Sequence, residues 1–498
     1  MVKGRRLRWA AYLVGLALVA GPAVSAEVPP TPIPQDGTSD ARVFLGHPAK
    51  ARPLKSFRVP RHPFMAGNGR SNIHDDAYMT DVYDSPGPLG RRMRVRSTFQ
   101  SSECASVAFD KRGRIVTICV GLEGPKLVLM DSSSLETLAT LPLPPRSSSG
   151  TGTTPFNDFA GGGYFYLDHK DRAVFPTTTR QVWIVRHRRT QGTWEFEIVR
   201  QFNLGTHLNP DEGIVSALPD WKGRIWFVST KGFIGTIGRK SGRVRGVRLR
   251  DEVIANSFAV DETGGVFIVS DKALYRFEAR RNGSPRLIWY RPYDRGKRVK
   301  PGQVSRGSGT TPTLIGRGYI AITDNADPRM HVIVYRRTAS SGGRPICSEP
   351  VFGKRRGATD NSLIAVGRSL IVENNYGYSD PRSTMNGKST KPGIARVKFT
   401  KMGRCKTMWV NRSRAPSVVP KASLATGLVY AYTKKPREDQ EDPWYFSAIS
   451  LRTGKTVFKR LAGEGLGFNN NYAPVTLDKK GRAYVGAIGG LVQLRDTR

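Results

Sequence analysis

Carboxylates and carboxamides recur at matching places along this chain. Asp211-Glu212, Asn256, Asp324-Asn325, Asp360-Asn361, Glu373-Asn374-Asn375 and Asn469-Asn470-Asn471 each flank a short apolar run, as do Asn157-Asp158, His207, Asp271 and Asp327. Their oxygens are hard donors, suited to calcium or magnesium. Glu373, Asp324, Asp360 and Asp211 or Glu212 would supply charged ligands to such an ion. Asn256, Asn361, Asn374 and Asn471 would add neutral groups to the ion or to an organic ligand. Asp324-Asn325-Ala326-Asp327 begins like a calcium loop but lacks the Gly and final Glu of an EF-hand. Single Asn and Asp residues also cap turns through backbone amides, so the signal lies in the cluster. His207 and His74, the latter followed by Asp75, have the chemistry of acid–base groups. No serine nucleophile elbow, HExxH pair or phosphate-cradling glycine loop occurs. Gly307–Pro312 (GSGTTP) and Gly150–Pro155 (GTGTTP) read as matched loops lining a mouth.

These groups need elements that aim them at one place. In Thr359–Tyr378, the runs Leu363–Val366 and Ser369–Val372 read as strands joined at Gly367-Arg368. A hairpin there brings Asp360-Asn361 and Glu373-Asn374-Asn375 to the same end. The unit recurs at Ala105–Gly121, Gly213–Thr230, Asn256–Ser270, Thr311–Asp324, Asn361–Asn374 and Tyr472–Ala487, with weaker copies at Phe156–Ile184 and Ala422–Lys434. A second apolar pair follows each copy, giving eight units of about 40–50 residues, the period of a four-stranded propeller blade. Merging the weak copies would give seven. The last unit supplies three strands, Ala473–Leu477, Ala483–Ala487 and Gly490–Asp496. Arg92–Gln100 alternates as a strand and is predicted to complete that blade, leaving no open edge. The expectation is an all-β fold: one propeller over 92–498, most simply of eight blades. Trp183, Trp226, Trp444 and Tyr376 read as aromatics packed between blades. The turns at Asp110–Gly113, Asp220–Gly223, Asp261–Gly264, Gly316–Gly318 and Asp478–Gly481 would share one face as ordinary turns with exposed charge. The polar set would collect on the other.

Ser447–Phe458, SAISLRTGKTVF, resembles the tail of a quinoprotein-type repeat, where a hydrophobe-Asp-x-x-Thr-Gly-Lys turn ends in Trp. Here Ser450 stands for the Asp and Phe458 for the Trp; Thr236–Val244 and Met130–Leu138 echo the pattern. As a repeat pattern the resemblance covers most of the chain and implies the quinoprotein alcohol dehydrogenase-like propeller superfamily. It brings with it the expectation of calcium-bound pyrroloquinoline quinone (PQQ) in the mouth, although the adjacent paired cysteines of alcohol-oxidising members are missing. The hairpins also resemble those of gluconolactonase-like propellers, which hold a divalent ion with Glu, Asn and Asp at the mouth.

Composition bounds the setting. Lys3, Arg5, Arg6 and Arg8 precede an apolar run, Trp9 to Val19, and Val24-Ser25-Ala26, which together read as a signal peptide cut after Ala26. The run is short of the ~20 apolar residues of a membrane span. Residues 27–91 read as an arm whose part 62–90, dense in Asn, His, Asp and aromatics, packs on the propeller near the polar mouth, bringing His74 to the ring. The formal charge is +39 and scattered, the sign of a solvated basic surface or of an anionic envelope partner; no nucleic-acid motif is present. Four cysteines in an exported chain suggest two disulfides. If Asp110 faces Gly113, Cys104 falls opposite Cys119, and Cys347 pairs with Cys405 between outer strands of neighbouring blades. Neither spacing suits zinc. The reading is an exported, periplasmic or secreted monomer that binds a small molecule or partner at its mouth. The alternatives are a metal-dependent lactonase-type hydrolase and a PQQ-dependent oxidoreductase, and fold alone does not choose among them.

Overall fold

The computed structural model describes residues 29–37, 39–145, 162–338 and 343–497. The leader, Asn157-Asp158 and the loop Gly150–Pro155 lie outside the described residues. Among the described residues eight sheets form a ring, each built around four antiparallel strands that run in chain order from the axis outward, save that the outermost strand of the eighth comes from before the first. The inner strands of blades 1 to 4 are Ser102–Phe109, Tyr166–Leu167, Ile214–Pro219 and Ala259–Val260. Those of blades 5 to 8 are Thr313–Ile315, Ile364–Val366, Lys421–Ser423 and Val475–Leu477. Strands near the axis are buried on both faces, as Ile225–Ser229 (IWFVS) illustrates. β-Branched and aromatic side chains suit such doubly covered strands. Outer strands such as Cys405–Asn411 alternate between half-buried and exposed. Trp226 and Trp444 are buried between sheets and Trp183 nearly so.

Blade 8 closes as the alternation predicts. Arg94–Phe99 pairs with Gly490–Arg495 over its whole length, and the Thr497 amide donates to Arg91 O at 3.2 Å. Both disulfides form. Cys104 and Cys119 are directly opposed, with Cα atoms 3.9 Å apart, but by a different register from the expected one. Phe109 faces Ile115, so Asp110 falls opposite Arg114, and a bulge between Cys104 and Ser106 restores the alignment. Cys347–Cys405 joins the outer strands of blades 5 and 6.

The turns between first and second strands are not the exposed features expected. Asp110, Asp168, Asp220, Asp261 and Asp478 are buried. One carboxylate oxygen of each accepts the amides two and four residues on, at 2.8–3.0 Å. The other oxygen pairs with an Arg four residues on in four of them: Arg114, Arg172, Arg224 and Arg482. Blade 4 has Gly265 at that position, and Arg337 of blade 5 approaches Asp261 at 3.4 Å instead. The quinoprotein-like tails occupy equivalent third-to-fourth-strand turns. Ser450, Gly238 and Asp131 each donate to the carbonyl five residues on, at 2.9 Å, and accept from the amide four residues on.

The arm packs along the propeller and reaches its axis. Phe44–Gly46 adds a strand outside blade 7. The chain then crosses the turn face, pairing Arg52 and Leu54 amides with Thr426 and Leu424 carbonyls of blade 7 and Ser56 Oγ with the Gly367 amide of blade 6. From there it enters the channel. Phe109, Leu167, Val260, Leu314, Ala365 and Ala422 of six inner strands or their ends donate to carbonyls of Arg70, Ser71, Ala77, Tyr78, Thr80 and Asp81. Val82–Tyr83 finally pairs in parallel with Lys421–Ser423. The arm thus plugs the channel from the turn face, opposite the expected polar mouth. Asp75, Met79 and Asp81 hold φ of 73°, 57° and 57° there, a left-handed backbone that costs a side-chain-bearing residue about 1 kcal/mol and is maintained by the surrounding blades.

Candidate functional site

Loops entering the inner strands converge above the plug and enclose a cavity of about 40 Å³. Tyr164, Asn256, Thr311, Asp360 with Asn361, and Asn471 with Tyr472 reach it from five blades; Ile73 and His74 of the arm form its floor. Residues from nearly every blade meet only at the axis, so this is the polar centre that the repeat implied. A cavity measured this way needs at least ~10–15 Å³ to hold one water. The cavity therefore has room for one small polar group.

His74 is buried, and its Nδ1 lies 3.0 Å from Asp81 Oδ1 and 3.0 Å from Ser362 Oγ. The Ser362 hydroxyl donates to Asp81 Oδ2, and Lys421 Nζ donates to Asp81 Oδ1 and to Ile73 O. Burial alone would raise the Asp81 pKa; Lys421 and His74 outweigh it and hold Asp81 below its ordinary value. Asp81 is then an acceptor only, so Nδ1 of His74 carries the proton and Nε2 is a bare lone pair. Burial also lowers the His74 pKa, keeping the ring neutral. Nε2 makes no hydrogen bond among the described residues. Ser362 and Asp81 both approach Nδ1, so this is not the nucleophile–base–acid order of a hydrolytic triad.

Asp360 lines another wall. Its Oδ2 accepts the Val304 amide at 3.1 Å, and its Oδ1 is buried without a partner. Burial lifts this carboxyl to about 7. Gly309 packs against it so closely that a Cβ there would sit 2.2 Å from Asp360 Oδ1; the glycine of the Gly307–Pro312 loop makes room for the acid. Behind Asn361 lies Glu373, fully buried and also raised to about 7 by burial. Its Oε1 accepts from Thr359 Oγ1 at 2.9 Å and Asn361 Nδ2 at 2.7 Å, while Oε2 has no partner. Asn471 and Tyr472, at φ 29° and 67°, are backbone outliers at the wall, where strain often marks function.

The remaining predicted residues divide between the cavity and structural roles. Asn256 Oδ1 accepts the Tyr164 hydroxyl at 3.2 Å, and Asn471 bridges the Tyr378 hydroxyl and Glu103. Asn374 instead ties loops, donating to Arg356 O and Pro392 O. Asp324 pairs with His331 Nδ1 at 2.8 Å. The loop that follows holds an ammonium rather than a metal: Lys300 Nζ donates to Ala326 O at 2.7 Å and lies 3.5 Å from Asp327. Glu212 is clasped by Arg248, and Asp211 is an exposed partner of Lys231. His207 is exposed on the surface. Asp75 is buried beside Tyr83, and burial raises its pKa. Asp81, Ser362 and Lys421 went unnoticed in the sequence. Lys421 alone left a trace, as a cation opening an inner strand, Lys421–Ser423, where blade 6 has Ile364–Val366.

The donor set does not fit the groups that the resemblances imply. Calcium takes six to eight oxygens, yet among the described residues no three His, Cys, Asp or Glu side chains are arranged around a metal. A tricyclic quinone far exceeds about 40 Å³.

No family model matches the chain. An uncharacterized protein of Archaeoglobus fulgidus is 26% identical over 319 residues, covering 57% of this chain. The chain spans 61% of that relative's length. Among solved structures, a streptogramin B lyase aligns with TM-score 0.37 and 11% identity over 81% of this chain and 97% of its own. The computationally designed protein Ika8 aligns with TM-score 0.40 and 10% identity over 83% of this chain and 100% of its own. Similarity at this level bears on no activity.

Proposed function

We propose that this is an exported binding propeller whose axial cavity receives one small polar group of a ligand. Two buried polar atoms carry the reading: His74 Nε2, an acceptor, and Asp360 Oδ1, a donor when protonated, belong to residues lining one cavity and have no partner among the described residues. Buried polar groups are almost always paired, and unpaired ones that share a cavity suit a hydroxyl, carbonyl or water. The Asp81–Lys421 pair fixes the tautomer that leaves Nε2 open. Two disulfides fit an oxidising compartment, and among the described residues no helix is long and apolar enough to cross a membrane. A lactonase-type or PQQ-dependent activity finds less support in the donors and the room at the axis.

The test is elemental analysis with a thermal-shift screen against calcium, magnesium, PQQ, lactones and small hydroxy acids. A shift given by a small polar compound, and lost in His74→Ala and Asp360→Asn, is the expected result. A stoichiometric metal released by Asp360→Asn would replace this reading with the metal-dependent one. Shifts that persist undiminished in both variants would refute the axial site.

A further inference from the structure

The opposite end of the channel carries a second, larger hollow. The arm segment 53–61 and the turns of blades 6 and 7 enclose about 670 Å³, within the usual ~300–1,000 Å³ of small-molecule sites. It adjoins a hollow of about 470 Å³ that shares Phe57, Arg58 and Arg61 and reaches Arg317 of blade 5. The plug separates both from the axial cavity, so this is a different site on a different face.

Its chemistry is cationic on one side and apolar on the other. Lys55, Arg58 and Arg61 are exposed, and among the described residues none of them is ion-paired with an Asp or Glu. Arg317 is 84% exposed and only 3.6 Å from Glu262. Arg368 stands over the Phe57 ring at 6.0 Å, its Nε buried without a partner. Against these cations the wall sets two carboxyls. Asp84 is exposed, and Asp76 is engaged by Thr80 Oγ1 at 2.5 Å and the Tyr78 amide at 2.8 Å. Leu54, Phe57 and Leu424 supply the apolar wall.

We infer that this hollow is an anion site for a ligand bearing a phosphate ester beside an apolar body, its phosphate held by Arg58 and Arg61. Guanidinium forks match phosphate oxygens two at a time, and Phe57 and Leu54 offer the surface for the apolar portion. The same chemistry is presented by a soluble phosphorylated compound and by a phospholipid headgroup.

The experiment measures binding of phenyl phosphate by calorimetry, and of phosphatidylglycerol vesicles by co-sedimentation, at physiological salt. Three proteins are compared: wild type, Arg58→Ala/Arg61→Ala, and Arg280→Ala/Arg281→Ala, which removes equal charge from an outer turn of blade 4. Losing two charge-assisted contacts is expected to weaken binding by about tenfold or more in the first variant and to leave the second near wild type. Phenyl phosphate binding without vesicle binding identifies a soluble ligand; vesicle binding assigns the headgroup. Equal weakening in both variants would show that only overall charge attracts the anion, and absence of binding by either probe would overturn the inference. Both arginines are exposed, and unchanged thermal unfolding of the variants confirms that they are folded.

Discussion

Asp360 and Glu373 keep their protons to about pH 7 when folded, against about 4 in an unfolded chain. Between those values the folded state binds more protons. Their contribution to stability is therefore full below about pH 4 and is lost as the pH rises to about 7. Asp360→Asn cannot ionise. Relative to wild type it is expected to gain on the order of 1–4 kcal/mol between pH 4 and pH 8, read from urea denaturation at the two pH values; a constant difference would contradict the burial argument. Asp81 and Lys421 form a buried ion pair in which each charge compensates the other's burial. Lys421→Met should cost about 3–5 kcal/mol by stranding a buried carboxylate, and adding Asp81→Asn should recover much of it. A double-mutant cycle followed by thermal unfolding checks this. At this scale the sequence singled out Asp360, Asn361, Asn256 and Asn471, which sit beside strand ends that the repeat fixes, and His74 of the arm; all five line the axial cavity. It hid Asp81 and Ser362, whose meeting with His74 depends on an arm with no period of its own, while Asp324, Asp211 and Glu212 stand beside His331, Lys231 and Arg248.

Among the elements, the buried Asp of each first turn is the recurring fastener. Asp220 serves two backbone amides, Arg224 and the Trp226 indole at 3.1 Å. Asp220→Ala leaves these donors unmet, at an expected cost of about 2–4 kcal/mol. Exposed-turn chemistry would predict a few tenths, so chemical denaturation separates the two. Strand pairs and the closing strand were legible because alternation and turn residues are local signals. The path of the arm was not, since its backbone bonds are made with partners hundreds of residues away, as in Ala422 to Asp81. The Cys104–Cys119 pairing followed from turn position, yet by a register that a bulge had to correct. Nothing in the residue types of Cys104-Ala105-Ser106 announces the bulge there.

As a whole, the ring is joined where its ends meet. Residues 94–99 lie beside 490–495, and Thr497 bonds Arg91. Linking residue 497 to residue 91 and reopening the chain beside Leu122, which is 92% exposed, should yield a folded ring provided that the arm is supplied on the same chain. Deleting 94–99 should instead abolish cooperative unfolding, because it bares an eighth-blade edge. Circular dichroism melts of the two products distinguish these outcomes. Eight blades rather than seven follow from the two weak repeats, each of which forms a complete sheet.

The segment 65–83 precedes every blade in the chain and ends up surrounded by them. A peg that must be encircled has to be present before the circle shuts. Synthesis delivers it in that order: the axle emerges first, and six of the sheets then have a waiting carbonyl on which to dock. The last sheet to be made finds its missing outer edge in a strand made immediately after the axle.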